Sequence, residues 1–391
     1  MRVLIVHNHY GRFAQGGEAN VMEAEARLLT AHGHDVMKYE RTNAEIYEDG
    51  TLADKIRAFR DVTWSAKSYR EVKSVIQDFR PDIMHVHNYW LVLTPSIFAA
   101  AKSCGVKTVV TLHNYRMICP GVLFLRNGKP CEDCLSGNSY RVIWHQCFPG
   151  KSLIKSIMSL RLYLESKKRE FLNPWVDAYI ALTEFAKRKF VEGGLPEEKL
   201  SVKPNFIADP LKGGHPTLPG KGAVFVGRVS PEKGLVTLLR AWKDLEYPLT
   251  IVGDGPLYRI LAGKANVSIT FVGQKSSEEA LDILNKAEIF VFPSACYESF
   301  SLSLLEAMAM GKAIVASDLG PRSEMVTDGV HGLLFNAGDI QDLRQKVLRL
   351  IENKQLSADL GEAARKKYLG YYTPEKNYNS LNEIYKKVLR S

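Results

Sequence analysis

The chain has no stretch approaching the ~18 consecutive apolar residues of a membrane-spanning helix. It also lacks low-complexity tracts, a collagen-like period and any repeat of a few tens of residues, which excludes fibres and solenoids. The apolar run after Arg2 is too short for a signal-peptide core and reads as a first strand. A cytosolic, soluble protein is therefore expected. Acidic residues are the minority charge, 43 against 52 Lys+Arg, for a formal net charge of +9. That excess raises three partner classes: nucleic acid, an anionic membrane or phosphorylated substrates. No Walker sequence and no full G-x-G-x-x-G is present.

The composition, 46% hydrophobic and 24% charged over 391 residues, is that of a folding chain and excludes wholesale disorder. At about 150 residues per domain, the length predicts two or three domains. Short apolar runs at 3–7, 83–86, 108–112 and 178–182 read as buried strands, with helical patterns around 18–32, 65–79, 94–103 and 151–170. The same grammar returns with strands at 223–226, 249–252, 268–272, 289–292 and 313–316. Strands that are continuously Val/Ile/Leu and alternate with helices predict parallel sheets covered on both faces: an α/β fold of two doubly wound domains. The Pro/Gly-rich stretch 204–222 predicts the seam, giving domains 1–203 and 204–373 and a closing helix over 374–391 that packs back on the first domain.

Each half opens with strand, glycine-containing loop and helix. Gly16 and Gly17 precede the first helix, and Gly227-Arg228 and Lys233-Gly234 bracket the corresponding turn of the second half. Such loops let a ligand approach the backbone, and a helix N-terminus offers unpaired N–H groups to phosphate. Arg228 and Lys233 add positive charge, and Gly253, Gly255 and Gly273 end successive strands on the same side. A structural turn is the plainer reading of any one loop; two together, with ligands expected beyond strand carboxyl ends, predict a cleft for something nucleotide-like.

Seven residues separate Glu298 from Glu306 in "ESFSLSLLEAMAMGKAIVAS". Ser301 or Ser303 is expected to cap the helix carrying Glu306, and Ser303-x-x-Glu306 also matches a capping box. With these residues in view the chain resembles a retaining glycosyltransferase of family four, with the GT-B fold of two Rossmann-like domains facing across a cleft. The resemblance rests on "GGEAN", "TLHN", "PNFI", "FVGRVSPEKG", "VGDGP", the paired glutamates and "DGVHGLLF".

The resemblance implies the following roles. Gly16 and Gly17 approach the donor diphosphate, and Arg228 and Lys233 neutralise it and stabilise the departing nucleotide. Glu298 contacts the transferred sugar, and the backbone amides of Phe300, Ser301 and Leu302 lie along the sugar and phosphate. Glu306 binds ribose, and His113 faces the sugar. It also implies metal-independent transfer with retention, in which Arg228, Lys233 and a helix dipole stabilise the leaving diphosphate; no D-x-D motif is present. The donor expected is a UDP- or GDP-sugar and the acceptor a saccharide or lipid-linked saccharide, in cell-surface polysaccharide or glycolipid assembly. A sugar-nucleotide epimerase or phosphorylase, or a non-catalytic sugar-nucleotide-binding scaffold, are the alternatives. Two departures from the family pattern are serine at 299 and 301, strained if φ must be positive, and "GPRSE" at 320–324.

Four of six cysteines, Cys119, Cys131, Cys134 and Cys147, fall in one long loop spanning 114–150. A structural zinc site and reduced packing thiols are both open, with His145 an alternative ligand; a cytosolic setting disfavours disulfides. No cofactor is expected for catalysis. Cys104 and Cys296 are expected as buried hydrophobes. His85 and His87 share a strand face, and His87 reads as a structural or acceptor-side residue rather than a metal ligand. Residues 151–170 hold six Lys/Arg, with Leu153, Ile157, Leu160 and Leu164 on one side. They read either as a helix resting on an anionic membrane, at its inner face, or as a core-packing helix with a solvated basic side. No nucleic-acid module is present.

Overall fold

The Val/Ile/Leu runs become strands whose alternate side chains enter opposite faces of a sheet, and both faces are covered. The computed structural model describes residues 1–11, 17–172, 174–214 and 220–391, apart from the side chain of Ser136. The chain divides into two units. The first comprises Met1–Phe124, Cys131–Asn205 and Asn377–Ser391, and the second Leu125–Pro130 and Phe206–Lys376.

In the first unit β1 (Arg2–His9), β2 (Asp35–Thr42), β3 (Ile83–Val86) and β4 (Lys107–Thr111) come in succession. A two-strand hairpin, β5 (Leu125–Arg126) and β6 (Lys129–Pro130), follows in the chain, and β7 (Ala178–Ala181) and β8 (Leu200–Val202) complete the sheet. The order is β2-β1-β3-β4-β7-β8, parallel throughout, with Val3 opposite Ile83 and Ile83 opposite Lys107. The second unit contains β9 (Ala223–Val226), β10 (Leu249–Val252), β11 (Ile269–Gly273), β12 (Ile289–Phe292), β13 (Ala313–Asp318) and β14 (Leu333–Asn336). Their order is β11-β10-β9-β12-β13-β14, again parallel. These are two Rossmann-like α/β sheets. In each, the strand order reverses beside the first strand, at β1/β3 and at β9/β12, and the crevice beyond the strand carboxyl ends at such a point is where ligands bind.

Period-two packing is plainest in the second unit. Phe225, Ile251, Val291 and Val315 join Leu238, Trp242, Leu343 and Val347 on one face. Val224, Phe290, Phe292 and Ile314 join Leu304, Leu305, Met308 and Tyr368 on the other. In the first unit, Val3, Ile5 and Ile83 pack with Leu381, Ile384, Tyr385 and Val388 of the helix Pro374–Arg390.

The basic segment forms the helix Leu153–Lys168, but its apolar residues do not make one outward stripe. Leu160 is buried with Met158, Leu162 and Tyr163, whereas Leu153 and Ile154 are exposed in the first turn. Lys155 and Arg161 stack over Tyr47 and Phe59, and Arg169 pairs with Glu165 at 2.6 Å. The core-packing reading is therefore the one the structure supports. Among the described residues no helix is long and apolar enough to cross a membrane.

Candidate functional site

In the second unit the site forms where β9 and β12 end. Beyond β9, Arg228 is exposed and makes no ion pair among the described residues. The 3₁₀ turn Pro231–Lys233 then meets the loop after β12: the Glu232 carbonyl accepts from Ala295 N at 2.8 Å and from Ser294 Oγ at 3.0 Å. Gly234 makes this docking feasible. Its φ is +71°, and a Cβ there would sit 1.9 Å from the Pro293 carbonyl oxygen. The turn aims Lys233 Nζ at Glu298, 2.9 Å from both carboxylate oxygens. Burial alone drives the Glu298 carboxyl upward, but Lys233 and Arg322, with hydrogen bonds from Ser294 and Lys233, outweigh it and hold the group below its ordinary range. Burial works against the Lys233 ammonium, yet Glu298 lifts it above its ordinary value. The pair is thus held charged on both sides.

Glu298 leads into the helix Leu302–Ala309. Ser301 caps it, accepting from Leu304 N at 3.3 Å, so Glu306 is not engaged in a capping box. Burial raises the Glu306 carboxyl to about 7. The amides of Phe300, Ser301 and Leu302 lie at this N-terminus, where the first turn has no intrahelical acceptors. The two serine departures carry no strain: Ser301 has φ −116°, and Ser299 is not among the positive-φ residues. Gly253 and Gly273 close the rim, with Gly253 N donating to Gly273 O at 2.8 Å. A Cβ on Gly253 would fall 2.0 Å from the Gly227 oxygen.

The other departure has a structural use that the sequence did not signal. Arg322 is buried and donates to the carbonyls of Ser317 (2.7 Å), Ser294 (3.1 Å) and Cys296 (3.2 Å). It braces the loop that delivers Glu298 and adds a second positive charge behind it.

In the first unit His113 follows β4, and its Nε2 lies 2.9 Å from Nδ1 of His87, which follows β3. Nε2 of His87 faces Glu25 Oε2 at 3.5 Å, and the other Glu25 oxygen pairs with the Lys203 ammonium. Glu25, His87 and Lys203 are all buried. Burial and neighbouring charges push both histidines far down, His113 to about 3, so the rings are neutral. The carboxylate favours a proton on His87 Nε2. With that tautomer His87 Nδ1 would accept from His113 Nε2–H, which would leave His113 Nδ1 as an acceptor. Glu25, His85 and His87 offer ligand atoms within 4.8 Å of one another. Their chemistry does not fit a metal, because Lys203 already neutralises Glu25 and both His85 nitrogens bond neighbours, Tyr385 and Thr111, at 2.7 Å.

Sequence reasoning also missed a polar group beside His113. Arg116 Nη2 and Asn114 Nδ2 each lie 3.2 Å from Tyr10 Oη, and Arg116 stacks 4.4 Å over Trp90. Burial lifts the nearby Glu18 carboxyl to about 7. Gly17 begins the helix Gly17–Ala31 and is exposed, while Gly16 lies outside the described residues. Cys296 is buried as expected, but Cys104 is only half-buried.

Two family models match consecutive parts of the chain: "Glycosyltransferase Family 4" over residues 15–209 and "Glycosyl transferases group 1" over residues 218–367. A phosphatidyl-myo-inositol mannosyltransferase of Mycobacterium leprae is 31% identical over 201 residues, covering 47% of this chain and 53% of that protein. The matched segments span about half the length of the first curated relatives. Among solved structures, sucrose-phosphate synthase of Thermosynechococcus elongatus superposes with a TM-score of 0.74 at 18% identity, covering 100% of both chains. Anabaena HepE in complex with UDP-glucose gives 0.68 at 16% identity, covering 98% of this chain and 99% of that one.

Proposed function

From the premise that this chain belongs to the group 1, family 4 glycosyltransferases of GT-B fold, we propose that it moves a sugar from a nucleoside-diphosphate donor to a saccharide or lipid-linked saccharide acceptor, with retention and without a catalytic metal. The observation that carries the reading is the Lys233–Glu298 pair at the β9/β12 reversal, with the exposed Arg228 on the same segment after β9. Cleaving the sugar–phosphate bond places negative charge on the departing diphosphate. Lys233, Arg228 and the amides opening the helix Leu302–Ala309 are preorganised to receive it. Glu298, held ionised, accepts hydrogen bonds from hydroxyls of the transferred sugar. Glu306 accepts from the ribose, and His113 Nδ1 from a sugar hydroxyl. UDP-glucose in the Anabaena relative supports a nucleotide-sugar donor, and the mycobacterial relative's name supports a lipid-linked acceptor.

A thermal-shift series with UDP, GDP and ADP tests the donor class. A ligand at 100 times its Kd stabilises the native state by about 2.7 kcal/mol, so the matching diphosphate raises Tm by a few degrees. A flat response to all three sinks the proposal. NMR of the product reports the anomeric configuration, and donor incubated alone separates transfer from epimerisation.

The Glu306 role predicts a pH dependence. Its carboxyl is raised to about 7, so it carries a proton below that pH and accepts ribose hydrogen bonds fully only above it. The donor KM is expected to fall as pH rises through about 7, and Glu306→Gln to flatten the profile. An unchanged profile in that variant removes Glu306 from the ribose.

A further inference from the structure

The segment from Asn114 to Gly150 carries little regular structure, only short helices at Asp133–Ser136 and Arg141–His145 and the small hairpin. Four of the six cysteines of the chain lie in it, and none is in a disulfide. Their setting is not that of thiols used to fill a core. Cys119 is buried, but Cys131, Cys134 and Cys147 are only half-buried. They are nevertheless gathered. The Cys134 thiol lies within electrostatic reach of Cys119, Cys131 and Cys147, and Cys119 within reach of Cys147.

The backbone around Cys119 is shaped for its sulfur. The N–H groups of Gly121 and Phe124 both donate to it. To aim them, the chain places two non-glycine residues in the left-handed region, Val122 at φ +74° and Phe124 at φ +49°. That conformation is costly for a β-branched valine and persists only where the surroundings impose it. Gly121 lets the far end of the loop close in: a Cβ there would sit 2.8 Å from Cys147 Cβ and 3.7 Å from Cys119 Sγ. Cys131 returns to the same place through its N–H, which donates to Phe124 O at 2.8 Å. Ser159 Oγ anchors the turn on the Pro120 carbonyl at 2.8 Å.

We propose that Cys119, Cys131, Cys134 and Cys147 form a structural zinc site. Four sulfurs from one loop, two of them in a C-x2-C pair, are the donor set of a structural zinc ion, which holds its cysteine ligands as thiolates once bound. A soft, half-covered tetrad of sulfurs selects zinc over the oxygen-seeking cations. No three of these sulfurs stand within 4.8 Å of one another. Tetrahedral Zn–S bonds of about 2.3 Å require closer approach, so the ion draws the sulfurs inward and tightens the loop that leads out of His113. All four ligands come from the same unit.

The test uses the full chain purified reduced, without added metal or chelator. Elemental analysis is expected to give a single zinc per chain, released by a mercurial thiol reagent, and Cys131→Ser/Cys134→Ser is expected to lose it. Because that variant can fail to fold, cobalt is also titrated into the wild-type chain stripped of metal. A thiolate-to-cobalt absorption band in the near ultraviolet, saturating at equimolar cobalt, supports the site. Absence of zinc together with no cobalt band overturns it, as does an intact mass of a parallel preparation made without reductant that shows these cysteines paired as disulfides. Full zinc retention in Cys147→Ser overturns the four-sulfur set in favour of His145 as the fourth ligand.

Discussion

Lys233→Ala is expected to lower kcat by about 10²–10³-fold, the scale measured when one preorganised donor to a developing anion is removed. The ammonium sits 2.9 Å from both Glu298 oxygens and is held above its ordinary pKa, so it stays charged across the working range. Its removal takes away a charge aimed at the leaving diphosphate and frees Glu298 from its anchor. If the interaction grows in the transition state, kcat and kcat/KM fall together, whereas loss of ground-state binding alone raises KM at unchanged kcat. Glu298→Gln separates the two contributions, because it keeps the shape and leaves the ammonium in place. Initial rates of nucleoside-diphosphate release, with Tm measured in parallel, make the check. Near-wild-type turnover in Lys233→Ala would refute the assigned role.

Lys203→Met is expected to cost about 3–5 kcal/mol of stability in the first unit, the scale for removing one partner of a buried ion pair. Glu25 and Lys203 are fully enclosed, their charges meet, and both flanking histidines are neutral, so among the described residues no other cation pairs with the carboxylate. The pair also ties the helix Gly17–Ala31 to the residue that follows β8. The double variant Glu25→Leu/Lys203→Met is expected to recover most of the loss, since two apolar groups of similar volume leave no stranded charge. Urea unfolding followed by a probe in the first unit measures this, because two units need not unfold together. A cost for the single variant under about 1 kcal/mol, typical of an exposed pair, would show that water reaches Glu25.

How much of this was legible in the sequence depends on range. Strands buried on both faces announce themselves, as in "VLIV" of β1 and "IFVF" of β12. The edge strand β2 did not, because its side chains alternate between half-buried and exposed and it reads DVMKYERT. β8, only three residues long, was missed for its shortness, and β14 was missed although it is as long as strands that were read. The Lys233 and Glu298 positions were recognisable because local spacing carries them. The Glu25–Lys203 pair, 178 residues apart, leaves no local pattern. Nor does Arg322, whose three carbonyl acceptors are backbone groups that side-chain identity does not reveal. The serines at 299 and 301 misled in the other direction: a family glycine need not mark a positive φ, and here the backbone is ordinary.

The helix Pro374–Arg390 carries a further consequence, for how the protein is made. Val3, Ile5 and Ile83 are closed off by Leu381, Ile384 and Tyr385, and Tyr378 stacks on His32 at 3.6 Å. Nearly all of the second unit, Phe206–Lys376, lies between the early strands and that cover in the chain. A ribosome adding about 5–20 residues per second therefore leaves the part of the first sheet's apolar face not covered by Met22, Ala26 and Leu29 bare for roughly ten to thirty seconds while the intervening unit is synthesised. During that interval the newborn polypeptide shows sticky surface that a trigger-type chaperone or a neighbouring nascent chain can engage.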